Sequence, residues 1–135
     1  MKRRSLLLSA LALATFVTAS LRVVGAAEPA PAVTIARIWR GRTLASKADE
    51  YERYLISSGI SKIRATLGNR GVKVLRRTEG DRTEFLVMSL WDSIDSIKRF
   101  AGDDYQKAVI LPRDREYLLE VEPNVLHYEV KLEMP

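Results

Sequence analysis

The segment 82–91 constrains the fold more than any other stretch of the chain. Its alternation places Phe85, Val87, Ser89 and Trp91 on one face and Leu86, Met88 and Leu90 on the other. Strand side chains alternate with period two, so both faces of this strand are apolar. Such a strand belongs inside a sheet with material packed on each side. Glu79, Gly80 and Asp81 precede it with hairpin turn chemistry, which makes 71–78 its antiparallel partner.

The remaining elements are arranged around that hairpin. Residues 33–40 read as a first strand, with Ile35, Arg37 and Trp39 on one face and Ala36 and Ile38 on the other. Ser46 and Asp49 have the spacing of an N-cap pair. Ala48, Tyr51, Tyr54 and Leu55 then fall on one side of a helix. Gly59 loosens that helix, a further helical turn is expected over 60–67, and Gly68 with Asn69 ends it. Asp92 or Ser93 caps a second helix whose stripe is Ile94, Ile97, Phe100 and Ala101. Asp103 and Asp104 open a short helical piece through 111, Pro112 interrupts it, and 113–119 form another turn. Residues 124–132 alternate as the last strand, with Leu126, Tyr128, Val130 and Leu132 opposite Val125, His127, Glu129 and Lys131.

The order strand, helix, strand, strand, helix, strand is that of the ferredoxin-like βαββαβ split fold. It predicts an α+β domain with a four-stranded antiparallel sheet and helices on one face. No element is left over for the other face. A second copy is the natural cover, giving a homodimeric α/β barrel.

Residues 1–26 read as a cleaved export signal peptide. Lys2, Arg3 and Arg4 precede an apolar run, and Gly25, Ala26 and Ala27 supply small residues at its end. The paired arginines suit the twin-arginine route as well as the general secretory one. The expected location is therefore periplasmic or secreted, with membrane contact only through the leader before cleavage. Residues 27–32 are a Pro/Ala tether, and 33–135 form a single domain. The chain has 22 Lys and Arg against 17 Asp and Glu; four of the cations, Lys2, Arg3, Arg4 and Arg22, lie in the leader, leaving 18 against 17. The basic precursor charge thus says little about partners. Arg70, Lys73, Arg76, Arg77 and Arg82 read as a solvated strand edge, and no nucleic-acid partner is expected. With no cysteine and one histidine, structural disulfides, Cys-based zinc sites and multi-histidine metal sites are excluded.

Three segments carry a resemblance to a known family: the strand from Glu84 to Trp91, the helix opening at Asp92, Ser93 and Ile94, and the closing strand through His127, Tyr128, Glu129 and Val130. Together they resemble the antibiotic biosynthesis monooxygenase (ABM)-like branch of the dimeric α/β-barrel superfamily, over most of 33–131. The resemblance implies the same fold and homodimer. Its members include cofactor-independent oxygenases, haem-degrading oxygenases and small isomerases. It also places Trp91 where family oxygenases line a cavity with an indole. The asparagine that commonly accompanies that tryptophan has no counterpart beside Phe85, Val87 and Ser89, and the histidine that haem degraders carry on the following helix is missing from 94–104.

Several residues are candidates for a site, each with an ordinary structural role beside the functional one. Trp91 is either a substrate wall or a core aromatic closing a strand-to-helix corner. His127, the only histidine, is either a general base or a half-exposed partner of Glu129. Arg37 and Trp39 share a strand face where charge and stacking would hold a flat anion, a pair that an edge surface or dimer seam would also use. Tyr105 lies within reach of a pocket or simply follows a helix start. The reading these residues favour is an exported, cofactor-independent monooxygenase acting on a small aromatic or enolic compound, with His127 as base and Trp91, Trp39, Arg37 and Tyr105 binding substrate. The alternatives are a non-catalytic periplasmic module for haem or another hydrophobic ligand, and a ligand-free dimeric scaffold. Haem is the one cofactor left open.

Overall fold

A computed structural model of the chain describes Gly25 and residues 33–135. The expected signal peptide and the tether otherwise lie outside the described residues. Strand β1 (Thr34–Leu44) leads through a short 3-10 turn (Ala45–Lys47) into helix α1 (Ala48–Leu55). A π turn (Ile56–Ile60) joins α1 to α2 (Ser61–Ala65), so the four segments form one continuous helical arm. The hairpin β2 (Asn69–Glu79) and β3 (Arg82–Trp91) follows, then α3 (Ile94–Ala101), α4 (Asp114–Tyr117), β4 (Leu118–Val121) and β5 (Leu126–Val130).

The sheet is antiparallel with the order β2-β3-β1-β4, and β5 also pairs with β1. The strand that is apolar on both faces is therefore interior, between β2 and β1. One detail departs from the four-strand expectation. The last position of the sheet is shared by two short strands: β4 faces the Gly41 to Thr43 end of β1, and β5 faces Thr34 to Ile38. Four positions are filled by five strands, and the α+β ferredoxin-like architecture stands.

Register fixes which residues face the helices. Ile35 lies opposite Trp91, Arg37 opposite Ser89, Trp39 opposite Val87 and Arg37 also opposite His127. This set points toward the helical layer. Trp91, Tyr51, Phe85 and Ile97 are among its fully buried members, and Tyr51 meets Phe85 edge-on with centroids 5.3 Å apart. Burying each such side chain contributes about 1.5–3 kcal/mol relative to leaving it in water. The opposite face carries Ala36, Ile38, Leu75, Leu86, Met88, Leu90, Leu126 and Tyr128. No described element covers it, and Leu75, Leu126 and Tyr128 are at least half exposed.

The local signals act with three corrections. Ser93 caps α3, its hydroxyl accepting from the Ser96 N–H at 3.1 Å, and Gly68 turns the arm back into β2 at φ +93°. Ser46, by contrast, caps nothing: the arm begins without a side-chain cap, and Asp49 pairs instead with Arg76 at 2.6 Å. No helix forms over 103–111. Gly102 ends α3 at φ +86°, and the following strand-like strap is held by Ala108 N–H donating to Pro123 O and Val125 N–H donating to Gln106 O, both at 2.9 Å. The helical turn expected over 113–119 is confined to Asp114–Tyr117, and Leu118–Val121 joins the sheet.

Candidate functional site

Between the sheet and the helical arm lies a narrow cavity of about 40 Å³, partly open to solvent. Arg37 and Trp39 of β1, with Val87 and Ser89 of β3, form its floor. Tyr51, Leu55, Gly59, Ile60 and Ile63 form the roof, and the strap closes one side with Val109 and Leu111 beside Phe100 and Asp114. The π turn widens the arm where Gly59 and Ile60 meet the cavity. Gly41 makes room for the indole of Trp39, since a Cβ there would stand 2.3 Å from Trp39 Cη2.

Arg37 dominates the electrostatics of this space. It is 4% exposed, and no ion pair among the described residues includes it. One terminal nitrogen donates to the Lys107 carbonyl of the strap at 2.8 Å, while Nε is buried without a partner. The guanidinium lies 5.5 Å from the centroid of the Phe100 ring. Burial lowers its pKa to about 10, still far enough above neutrality to leave it charged. A desolvated cation with an open donor is costly to hold empty and well suited to an anion.

Asp114 is the second buried charge on the cavity wall, at 1% exposed. Its Oδ1 accepts from the Tyr51 hydroxyl at 3.2 Å and its Oδ2 from the Leu111 N–H at 2.7 Å. Both donors are neutral. Burial raises its pKa, partly offset by the Leu111 and Tyr51 hydrogen bonds. Tyr51 is pushed far up in turn, mainly by burial and then by the neighbouring carboxylate. Sequence reading missed Asp114, because an acid following Pro112 and Arg113 looks like an ordinary helix-start residue.

The other expected site residues are dispersed. Trp91 is fully buried and outside the cavity lining; its indole N–H donates to Ser89 Oγ at 2.8 Å, and its ring stacks on Phe100. His127 faces the helical layer beside Arg37 but does not line the cavity. Its Nε2 is buried without a partner, and burial, then the charge of Arg37, lowers its pKa, so the ring is neutral at pH 7. Tyr105 packs edge-on against His127, 5.2 Å between centroids, rather than into the cavity. Glu129 pairs with Lys131 instead of His127. Of the five candidates, Arg37 and Trp39 meet in one site, with Tyr105 and His127 grouped behind it. Among the described residues no cluster of three or more acidic or histidine side chains has the arrangement of a metal site.

No protein-family model matches the chain, and no curated protein is significantly similar to it in sequence. Solved structures are similar in fold. A candidate antibiotic biosynthesis monooxygenase from Bacillus cereus superposes with a TM-score of 0.55 at 16% identity, covering 76% of this chain and 98% of that one. A protein of unknown function from Nitrosomonas europaea gives 0.57 at 15% identity, covering 77% and 96%. The haem-degrading protein of Mycobacterium tuberculosis, in haem-free form, gives 0.52 at 18% identity, covering 76% and 99%. For a histidine-ligated haem the residues present here do not fit: the only imidazole of the chain lies outside the cavity lining, and α3 carries none. The architecture, the strand order and these superpositions agree that the chain has the ferredoxin-like α+β fold of the antibiotic biosynthesis monooxygenase-like proteins.

Proposed function

We propose that this chain is a small exported oxygenase whose cavity binds a planar phenol or enol as its anion, without a metal or flavin. The observation that carries the reading is Arg37, a buried guanidinium with an unpartnered Nε in an otherwise largely apolar space. Trp39 supplies a flat wall beside it. An electron-rich enolate or phenolate can itself reduce dioxygen. One oxygen atom ends in the product and the other in water; of the two hydrogens that water takes, one leaves the oxidised carbon and one leaves the substrate hydroxyl, so the substrate supplies every electron. The protein's part is to bind the anion, orient it and exclude bulk water.

The uncovered apolar sheet face is assigned to a second copy of the chain. It runs across all four positions of the sheet, from Leu75 on β2 to Tyr128 on β5, while the helices lie on the other side. A monomer rarely leaves such a patch to water. Met88→Glu places a charge at its centre and is expected to turn a dimer into a monomer in sedimentation. A wild-type monomer at micromolar concentration would sink this assembly. The exported location rests on the leader.

Oxygen uptake tests the reaction. Wild-type protein, offered a panel of small phenols and enols, is expected to consume oxygen in step with product, and Arg37→Met to consume none. Binding without any oxygen uptake would leave the cavity as a carrier site for aromatic anions and remove the oxygenase.

A further inference from the structure

Among the described residues, the fold buries two charged side chains to better than nine-tenths, Arg37 and Asp114, and both line the same cavity. They form no ion pair with each other or with any other described residue. They come from opposite ends of the chain's architecture, β1 in the sheet and the first residue of α4 beyond the strap. Each is therefore buried with only neutral protein partners. Burying two opposite charges without letting them meet is unfavourable for the empty protein. A weakly acidic ligand in the cavity that both line would relieve both.

We propose that Asp114, rather than His127, accepts the proton of the bound substrate. The substrate O–H bond breaks, the proton moves to a carboxylate oxygen of Asp114, and the electron pair stays on the substrate oxygen. Before transfer the cavity holds a guanidinium, a carboxylate and a neutral acid. Afterwards it holds a guanidinium paired with the substrate anion, and a neutral carboxylic acid. The proton is transferred within the cavity, and no net charge enters it. Burial favours the neutral form of Asp114, which makes its carboxylate a stronger base than an exposed aspartate. The Leu111 N–H and Tyr51 O–H hold both carboxylate oxygens in place, as a base that must meet its substrate requires. His127 lacks the position for this role, because Arg37 and not the imidazole lines the cavity.

This assignment rests on the reading of the cavity as an anion site, and 4-nitrophenol separates the two. Its phenol and phenolate forms differ in colour, so absorbance reports the form that is bound. Calorimetry in two buffers of different ionisation enthalpy counts the protons released on binding. Below the solution pKa of the probe, wild-type protein is expected to bind it as phenolate and to release no proton. Asp114→Asn, whose side chain still accepts from Leu111, is expected either to release one proton per bound phenolate or to bind at least tenfold more weakly. Phenolate bound to wild type with one proton released to buffer would overturn the role of Asp114 and keep the anion site. No saturable binding to wild type would sink the anion site and this role together. Difference infrared spectroscopy of the wild type gives a check independent of any variant. A protonated-carboxyl band must appear on binding, and its absence in the phenolate complex would refute the proposal.

Discussion

The indole N–H of Trp91 donates to Ser89 Oγ at 2.8 Å, two residues back along the same face of β3. Both side chains are buried almost completely. Ser89 thereby satisfies the one polar atom of the largest core side chain and leaves the ring free to stack on Phe100. The tryptophan supports the cavity floor instead of lining it. Ser89→Ala leaves a buried N–H unpaired, at a cost of about 1–3 kcal/mol. Urea unfolding is expected to show that loss with an unchanged m-value.

Arg37→Met replaces a desolvated cation with an apolar side chain of similar length. The variant loses the hydrogen bond to the Lys107 carbonyl, about 1–3 kcal/mol for a charged donor. It also escapes the larger cost of keeping a charge buried without an ion-pair partner. A net gain on the order of 1 kcal/mol is expected, seen as a higher Tm. Anion binding should disappear in the same variant. A lower Tm would mean that the strap depends on Arg37 more than the buried charge costs.

Asp114 makes stability depend on pH in a distinctive direction. Burial raises its folded-state pKa above that of the unfolded chain, so protonation favours the folded protein. That contribution is fully present below about pH 4 and is lost as the pH rises through the raised value. Glu50, Asp92 and Glu129 act in the opposite sense, their pKa values lowered chiefly by hydrogen bonds from Tyr117, Ser96 and Lys131. Their effect cancels in a comparison of wild type with Asp114→Asn. Relative to wild type, the variant is expected to look more stable at pH 7 than at pH 4 in denaturant unfolding. A difference independent of pH would show that the carboxyl titrates as an ordinary surface acid.

Hemin is expected to give no saturable Soret shift when titrated into the protein, with or without reductant. The cavity offers iron no imidazole, and the one histidine is packed between Arg37 and Tyr105. A sharp shift abolished by His127→Ala would require the strap to open and would restore haem binding.

The hairpin of β2 and β3 was legible because its alternation and its Gly80 turn act locally; the expected span of 82–91 matches β3 to the residue. The faces of β1 and β5 were legible only in pairs. Parity groups Arg37 with Trp39, and His127 with Glu129, but only the register across β1 shows that both sets face the helices. The segment 103–111 misled for a tertiary reason. Its backbone is claimed from outside, by Arg37 at Lys107 O and by Pro123 and Val125 across the strap. Local helix signals cannot outweigh partners that distant in sequence. Asp114 was hidden for a related reason, since nothing near it in sequence distinguishes a buried carboxylate from a solvated one.

The π turn at Ile56–Ile60 has a consequence for how such a site can arise. A helix takes up a single inserted residue as one wide turn, leaving the registers before and after it unchanged. Here Tyr51 and Leu55 before the turn, Gly59 and Ile60 within it and Ile63 after it all border the cavity. A single inserted residue is therefore one way for such an arm to roof a cavity without disturbing the helices on either side.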